Sequence, residues 1–276
     1  MIRAQRITTA HIRRFQKTIW EYYRKHGRSL PWRKTRNPYH ILVSEMMLQQ
    51  TQVERVREKY RTFIAAFPDF SSLSRAPLND VLSIWQGLGY NRRAIALKQT
   101  AQEIMKKYNG LLPPSVDVLM KFPGIGRATA SAVVSFAFNQ PVVFIETNIR
   151  RVFIHFFFQE RGDVHDAELF PLVEKALDRS DPRGWYYALM DYGTMLKKSV
   201  SNPNRKSLHY QRQAPFEGSH RQLRGLLLRT ILRVSEITES ALVKNIENNP
   251  ENIKGALEQL QKEGFIRKKN NTYSIA

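Results

Sequence analysis

The chain has no cysteine. That excludes disulfides, a thiol nucleophile and any thiolate-ligated zinc or iron–sulfur site. Histidine is sparse: there are seven, none in an H-x-x-x-H pattern, so a metal enzyme is not indicated. No apolar run is long enough to span a bilayer. Acidic residues are also short, 24 against 44 Lys and Arg, which leaves a formal net charge of +20 over 276 residues and a pI of about 10.3. A chain of this size and charge suits a polyanion; the bland alternative is a soluble protein that is merely basic. Hydrophobic content is 42%, with 13 Gly and 13 Pro, so the chain should fold, as one large or two to three small domains.

The N-terminal stretch MIRAQRITTAHIRRFQKTIWEYYRK is Arg-rich and acid-poor, the composition of a transit peptide. Against that, Ile12, Phe15, Ile19 and Tyr22 or Tyr23 recur at helical spacing, with no secretory apolar region and no A-x-A site. A folded first helix is expected. Helical periodicity then dominates to about residue 200. Asn37-Pro38 opens a helix running through ILVSEMMLQQTQVERVREKYRTFIAAF until Pro68 stops it. Pro77 opens the next, which ends at Gly87-Leu88-Gly89. Asn91 is placed to cap RRAIALKQTAQEIMKKY, and Gly110 ends it. Ser115 starts VDVLMKF; further helices are expected over 127–138, 148–158, 167–177 and 184–196.

Residues 197–221 are polar and aperiodic and read as a loop or linker. Beyond them, HRQLRGLLLRTILRV, ESALVKNIE and PENIKGALEQLQKEG read as three helices, and FIRKKNNTYSIA as two short strands around Asn270-Asn271. Three helices and a β-hairpin make a winged helix-turn-helix. Its third helix, about 252–262, and Arg267, Lys268 and Lys269 on the wing would face nucleic acid. Glu251, Glu258 and Glu263 suit DNA poorly, so packing on the rest of the chain or on a protein partner is an equal expectation.

The stretch FPGIGRATASA, residues 122–132, places Gly124 and Gly126 around Ile125 at the mouth of a helix. Glycine allows a sharp turn and close approach to another molecule. The unpaired N–H groups and dipole of the following helix, from Arg127 through Thr129, make a phosphate seat. A bare G-x-G is weak, but Phe122-Pro123 before it and the small residues behind it make the stretch closely resemble the helix-hairpin-helix motif of DNA repair enzymes. LPWR (30–33), NPYHILVSEMMLQQTQV (37–53) and WQGLGYNRRA (85–94) occur with that hairpin in the order and spacing of MutY-type adenine DNA glycosylases. The resemblance covers roughly residues 10–195.

The resemblance implies an all-α, two-lobed helix-hairpin-helix glycosylase fold with a C-terminal winged helix added. One lobe would be a six-helix barrel over 31–135. The second would join 1–30 to 136–216, and the winged helix would occupy 217–276. Glu45 matches the family's catalytic acid. Glu146, with Asn148, stands where the family carries its catalytic Asp in D-G-N, so the carboxylate here is one methylene longer. As a plain reading of the residues, each Glu has an ordinary alternative: a surface helix Glu at 45, a helix-start Glu favoured by the dipole at 146.

Gln50 and Thr51 match the pair that reaches the opposite base, and Tyr90 the intercalating aromatic. Arg28, Leu30, Trp32, Arg33 and Tyr187 would line the base pocket. Where bifunctional members carry a Schiff-base Lys and MutY-type enzymes often Tyr, this chain has Ala128, which implies hydrolysis without an efficient lyase step. Lys197 stands about where the first cluster cysteine would fall, so no iron–sulfur cluster is expected, and residues 197–221 must be held by hydrogen bonds and charge. A monovalent cation at the hairpin is an implied cofactor; no other metal is. Tyr187 replaces the Glu or Gln often found in the adenine pocket, and the domain that reads 8-oxoguanine is expected to be replaced by the winged helix. Adenine opposite 8-oxoguanine or guanine leads as substrate. Thymine or uracil opposite guanine, another damaged base, and a non-catalytic DNA-binding protein on the same fold are the alternatives. The expected partner is mismatched or damaged double-stranded DNA, met by a cytoplasmic, nucleoid-associated monomer with no membrane contact.

Overall fold

The computed structural model describes residues 7–211 and 214–276; the Arg-rich first six residues of the N-terminal stretch lie outside these. In chain order the helices are α1 (Thr9–His26), α2 (Pro38–Leu48), α3 (Val53–Ala66), α4 (Phe70–Arg75), α5 (Leu78–Trp85), α6 (Arg92–Tyr108), α7 (Val116–Leu119), α8 (Arg127–Phe138), α9 (Thr147–Phe157), α10 (Asp166–Ala176), α11 (Pro182–Ser199) and α12 (His220–Val234). Strand β1 (Ile237–Thr238), α13 (Glu239–Asn245), α14 (Pro250–Lys262), β2 (Ile266–Lys269) and β3 (Thr272–Ile275) complete it. No helix among the described residues is long and apolar enough to cross a membrane.

The chain divides into two compact units, Met1–Ile41 with Pro114–Met120 and Ile125–Arg212, and Leu42–Pro113 with Lys121–Gly124 and Gln213–Ala276. In this division the C-terminal segment shares a unit with residues 42–113, and α8 belongs to the other.

In the first unit, α1 begins at Thr8, whose hydroxyl accepts from His11 N while His11 Nδ1 accepts from Thr8 N. Its apolar stripe of Ile12, Phe15 and Ile19 is buried, as the spacing requires. Phe15 sits in an edge-to-face cluster with Phe153, Phe156, Phe157 and Trp185, at centroid distances of 4.9–5.8 Å. That cluster ties α1 to α9 and α11. Helix α11 is buried over most of its length, from Pro182 to Leu196.

In the second unit, Phe63 of α3 packs edge-on against Phe67 and against Trp85 of α5. Helix α4, absent from the sequence expectation, is started by an Asp69–Ser72 capping box after Pro68. The C-terminal segment has the helix order of a winged helix-turn-helix and buries Leu227, Ile231, Ile253, Leu257, Leu260 and Phe265. Its sheet is antiparallel in the order β1-β3-β2. The third strand, Ile237–Thr238, is too short to leave a periodic signal.

Two local expectations change. The single helix expected from Asn37-Pro38 up to Pro68 is two helices, α2 and α3, parted at Gln49–Gln52 with Gln50 at φ +52°. The cause lies far along the chain. The guanidinium of Arg93 donates to the carbonyls of Met46, Met47 and Gln49 at 2.9, 2.8 and 2.6 Å. It therefore satisfies the orphan acceptors at the end of α2. Asn91 precedes α6 but makes no side-chain capping bond and is itself in the αR region.

Candidate active site

Glu146 is the N-cap of α9. Its Oε1 accepts from the backbone N–H groups of Asn148 and Ile149 at 2.8 and 3.0 Å, and Asn148 Nδ2 donates to Oε2 at 3.3 Å. Asn148 Oδ1 in turn accepts from Arg151 Nη1 at 2.7 Å. The same guanidinium donates to Gly193 O on α11 at 2.8 Å and to Asn202 Oδ1 at 3.2 Å. A carboxylate at a helix N-terminus is favoured by the dipole. Even so, desolvation lifts the Glu146 pKa above its ordinary value, and the two backbone bonds with the Arg151 and Arg150 charges offset only part of that. The result is a fixed, desolvated carboxylate whose proton affinity is raised.

Two features hold this geometry. Gly193 has no room for a side chain: a Cβ would lie 2.6 Å from Asn148 O and 2.7 Å from Asn148 Cβ. Glycine there lets α11 meet the first turn of α9. The polar stretch after α11 then braces α9. Asn204 Nδ2 donates to Thr147 O at 3.0 Å, and Ser207 pairs with Val164 through a parallel bridge. Lys197 lies exposed at the end of α11. With lysine there and no thiolate in the chain, the donor set does not fit an iron–sulfur cluster.

Glu45 lies on α2, half-buried, with Ser44, Met46 and Met47 buried beside it. Gln50 is exposed in the loop that ends this helix. Thr51 Oγ1 accepts from Arg93 Nη2 at 3.0 Å. Arg93 is only 6% exposed, and desolvation pushes its pKa down to about 10. It also donates to Gly89 O at 2.8 Å, so one buried guanidinium organises both the α2–α3 loop and the loop before Tyr90. Tyr90 stands at φ +47° and is 39% exposed, with the Arg93 guanidinium 5.4 Å from its ring centroid.

At the hairpin, Gly124 has φ +73°, and a Cβ there would approach Ala96 Cβ at 3.0 Å and Met46 Cε at 3.2 Å. Gln49 Nε2 donates to Gly124 O at 3.0 Å. Gly126 is the N-cap of α8 and offers no side-chain cap; Arg127 and Ala128 are exposed and Thr129 half-buried. Ile125, between the two glycines, is buried.

The expected pocket residues are brought together in the first unit, by a partner the sequence reading missed. Asp191 is 3% exposed and receives Arg33 Nη1 and Nη2, both at 2.8 Å, Arg28 Nε at 2.6 Å and Arg28 N at 2.8 Å. Burial raises its pKa, but the bonds and charge of Arg33 and Arg28 outweigh that and hold it below the ordinary value. Leu30, Trp32 and Tyr187 are buried in the core, and only Arg28 of the five keeps substantial exposure. Tyr187 stacks on Phe136 at 4.5 Å with the Arg33 guanidinium 4.4 Å from its ring centroid. A single Asp inside WYYALMDYG was the available signal for Asp191. Arg93 and Gln49 were missed because nothing local marks a residue that caps a distant loop.

The model of the HhH-GPD superfamily base excision DNA repair proteins matches residues 43–170. An adenine DNA glycosylase of Buchnera aphidicola (subsp. Baizongia pistaciae) is 37% identical over 187 residues, 66% of this chain and 52% of that one. The chain spans about half the length of the curated relatives it matches. A solved thermostable thymine-DNA glycosylase superposes with a TM-score of 0.63 at 24% identity, covering 72% of this chain and 94% of that one. A trapped endonuclease III–DNA covalent intermediate superposes with a TM-score of 0.54 at 23% identity, covering 76% and 91%. At these identities the structural likenesses establish the fold. The chain therefore carries, over residues 43–170, a domain of the HhH-GPD superfamily of base excision DNA repair proteins.

Proposed function

We propose that this protein is a monofunctional DNA glycosylase of base excision repair, with adenine mispaired with 8-oxoguanine or guanine as its leading substrate. The observation that carries this reading is the Glu146 carboxylate, fixed by two backbone N–H groups and desolvated at the start of α9. In the proposed reaction the target nucleotide leaves the stack. Glu45 gives its proton to the departing base as the C1′–N bond breaks, and the bonding pair leaves with the base. Ionised Glu146 stabilises the oxocarbenium-like sugar, and water adds to C1′ with loss of a proton. Ala128 supplies no amine for a Schiff base, so no strand cleavage accompanies base loss. The basic surface, the hairpin and the exposed Tyr90 support mismatched duplex DNA as the partner. We place the protein in the cytoplasm with the nucleoid, acting as a monomer. A monovalent cation at the hairpin turn would be met by backbone carbonyls, of which Gly124 O is already taken by Gln49.

A second reading, a DNA-binding protein without catalysis, is favoured by one observation: both Glu146 oxygens already accept hydrogen bonds, Oε1 from the two cap N–H groups and Oε2 from Asn148 Nδ2. The deciding experiment is a single-turnover panel. Its duplexes hold A opposite 8-oxoguanine, A opposite G, T or U opposite G, hypoxanthine, and oxidised pyrimidines, each read with and without alkali. Breaks only after alkali, lost in Glu45→Gln and Glu146→Gln with DNA binding intact, support the enzyme. Binding without release from any duplex supports the second reading. Release of thymine or uracil, and not adenine, would reassign the substrate.

A further inference from the structure

The C-terminal segment reaches the Tyr90 loop through three arginines and one glutamate of the second unit. Glu263, at the end of α14, is gripped from two sides. Arg92 Nε donates to Oε2 at 2.7 Å and Arg224 Nη1 to Oε1 at 2.8 Å, each guanidinium making a second bond to the other oxygen. The Glu263 side chain is 10% exposed. Against the cost of that burial, the two guanidiniums bring its pKa down to about 2, so the clamp stays charged through the neutral range. Arg92 is two residues past Tyr90. Arg221, in the first turn of α12, donates Nη1 to Tyr90 Oη at 3.1 Å while its Nη2 is held by Ala214 O at 2.8 Å. Meanwhile the surface suited to groove contact is partly neutralised. Lys268 on the wing pairs with Glu239 at 3.1 Å, and Glu251 and Glu258 lie exposed on α14.

We propose that the winged helix serves as a positioning module for the intercalating aromatic: Arg221, held by Ala214 O and carried on the helix that the Glu263 clamp ties through Arg224 to Arg92, orients Tyr90 through its hydroxyl and so promotes base extrusion. This rests on the reading of Tyr90 as the wedge. Arg221 is a positioning residue, since it acts through Tyr90. The module's contribution is to extrusion and not to the choice of base.

The test uses the full chain and a duplex with 2-aminopurine opposite guanine, whose fluorescence rises when the purine leaves the stack. DNA affinity and thermal melting are measured alongside. Arg221→Ala and Tyr90→Phe should each slow the fluorescence rise roughly three- to ten-fold, the scale of one partly exposed charge-assisted hydrogen bond. The double variant should be no slower than Tyr90→Phe alone, Arg221→Lys should recover part of the rate, and affinity should stay within about two-fold. No rise with the native chain would sink the wedge reading itself. A native rise unchanged by Arg221→Ala would overturn the positioning role alone. So would multiplicative losses in the double variant, or a loss of affinity with extrusion unaffected, which would make Arg221 a direct phosphate contact.

Discussion

At the scale of single residues, the half-buried carboxylate at 146 and the buried one at 191 both carry a desolvation cost, yet their environments push them in opposite directions. Asp191 meets two guanidiniums and a backbone N–H, and its pKa falls. Its stabilising effect is complete above the ordinary carboxylate pKa and is lost as pH drops through the lowered folded value. Asp191→Asn, measured by urea denaturation at neutral pH, should cost about 3–5 kcal/mol, because it strands buried positive charge. Glu146 behaves the other way. With its folded pKa raised above 4.5, the unfolded chain gives up the proton first as pH rises. Ionised Glu146 therefore weakens the fold from about that pH upward. Glu146→Gln keeps an acceptor for both cap N–H groups. It should raise the melting temperature at pH 7, with a gain that shrinks towards pH 4, while lowering single-turnover base release by at least on the order of 10²–10³. Lower stability at pH 7 would mark Glu146 as a structural cap. In the native chain, release should climb as pH passes above the ordinary glutamate value.

At the scale of elements, most helices were legible because their starts and stops are local chemistry. Thr8, Ser115 and Ser219 cap helices with their own side chains, while α4, capped by Asp69, is too short to leave a periodic signal. Asn109 and Asn139 end α6 and α8 in the left-handed region. The break between α2 and α3 was not legible, because its cap is Arg93, more than 40 residues away. The brace after α11 was legible only as a need: a polar stretch without cysteine had to be held by hydrogen bonds. The structure supplies the bonds from Asn202 and Asn204. Helix α11 also meets α9 through Gly193, where any side chain collides with Asn148. Gly193→Ala should destabilise the protein by about 1–3 kcal/mol, an overpacking cost. It should also reduce base release beyond what reduced folding accounts for, since Asn148 holds Glu146. Comparing rates per folded molecule, with circular dichroism to count them, separates the two effects.

At the scale of the whole molecule, the net charge of +20 predicts strongly salt-dependent DNA binding. Between about 50 and 200 mM salt, affinity for any duplex should fall by roughly 10³–10⁵ if 6–10 phosphates are contacted. Fluorescence anisotropy checks this, and Arg127→Ala should reduce the slope by about one phosphate. A flat salt dependence would assign the charge to solubility alone.

Sequence by itself determined the helical class, the Ser115 cap, the glycine turn before α8 and the winged-helix order, and it singled out Glu45, Glu146 and Tyr90 as candidates. These rest on periodicity, turn chemistry and short motifs, which act between neighbours. Only the tertiary structure decided what those residues experience. Asp191 gathers Arg28 across 163 positions, Arg221 meets Tyr90 across 131, and Glu263 meets Arg92 across 171. The extent of burial around Glu146 also depends on packing from α11 and the stretch beyond it. Desolvation and charge pairing depend on distances in space, and no local pattern in the chain encodes them.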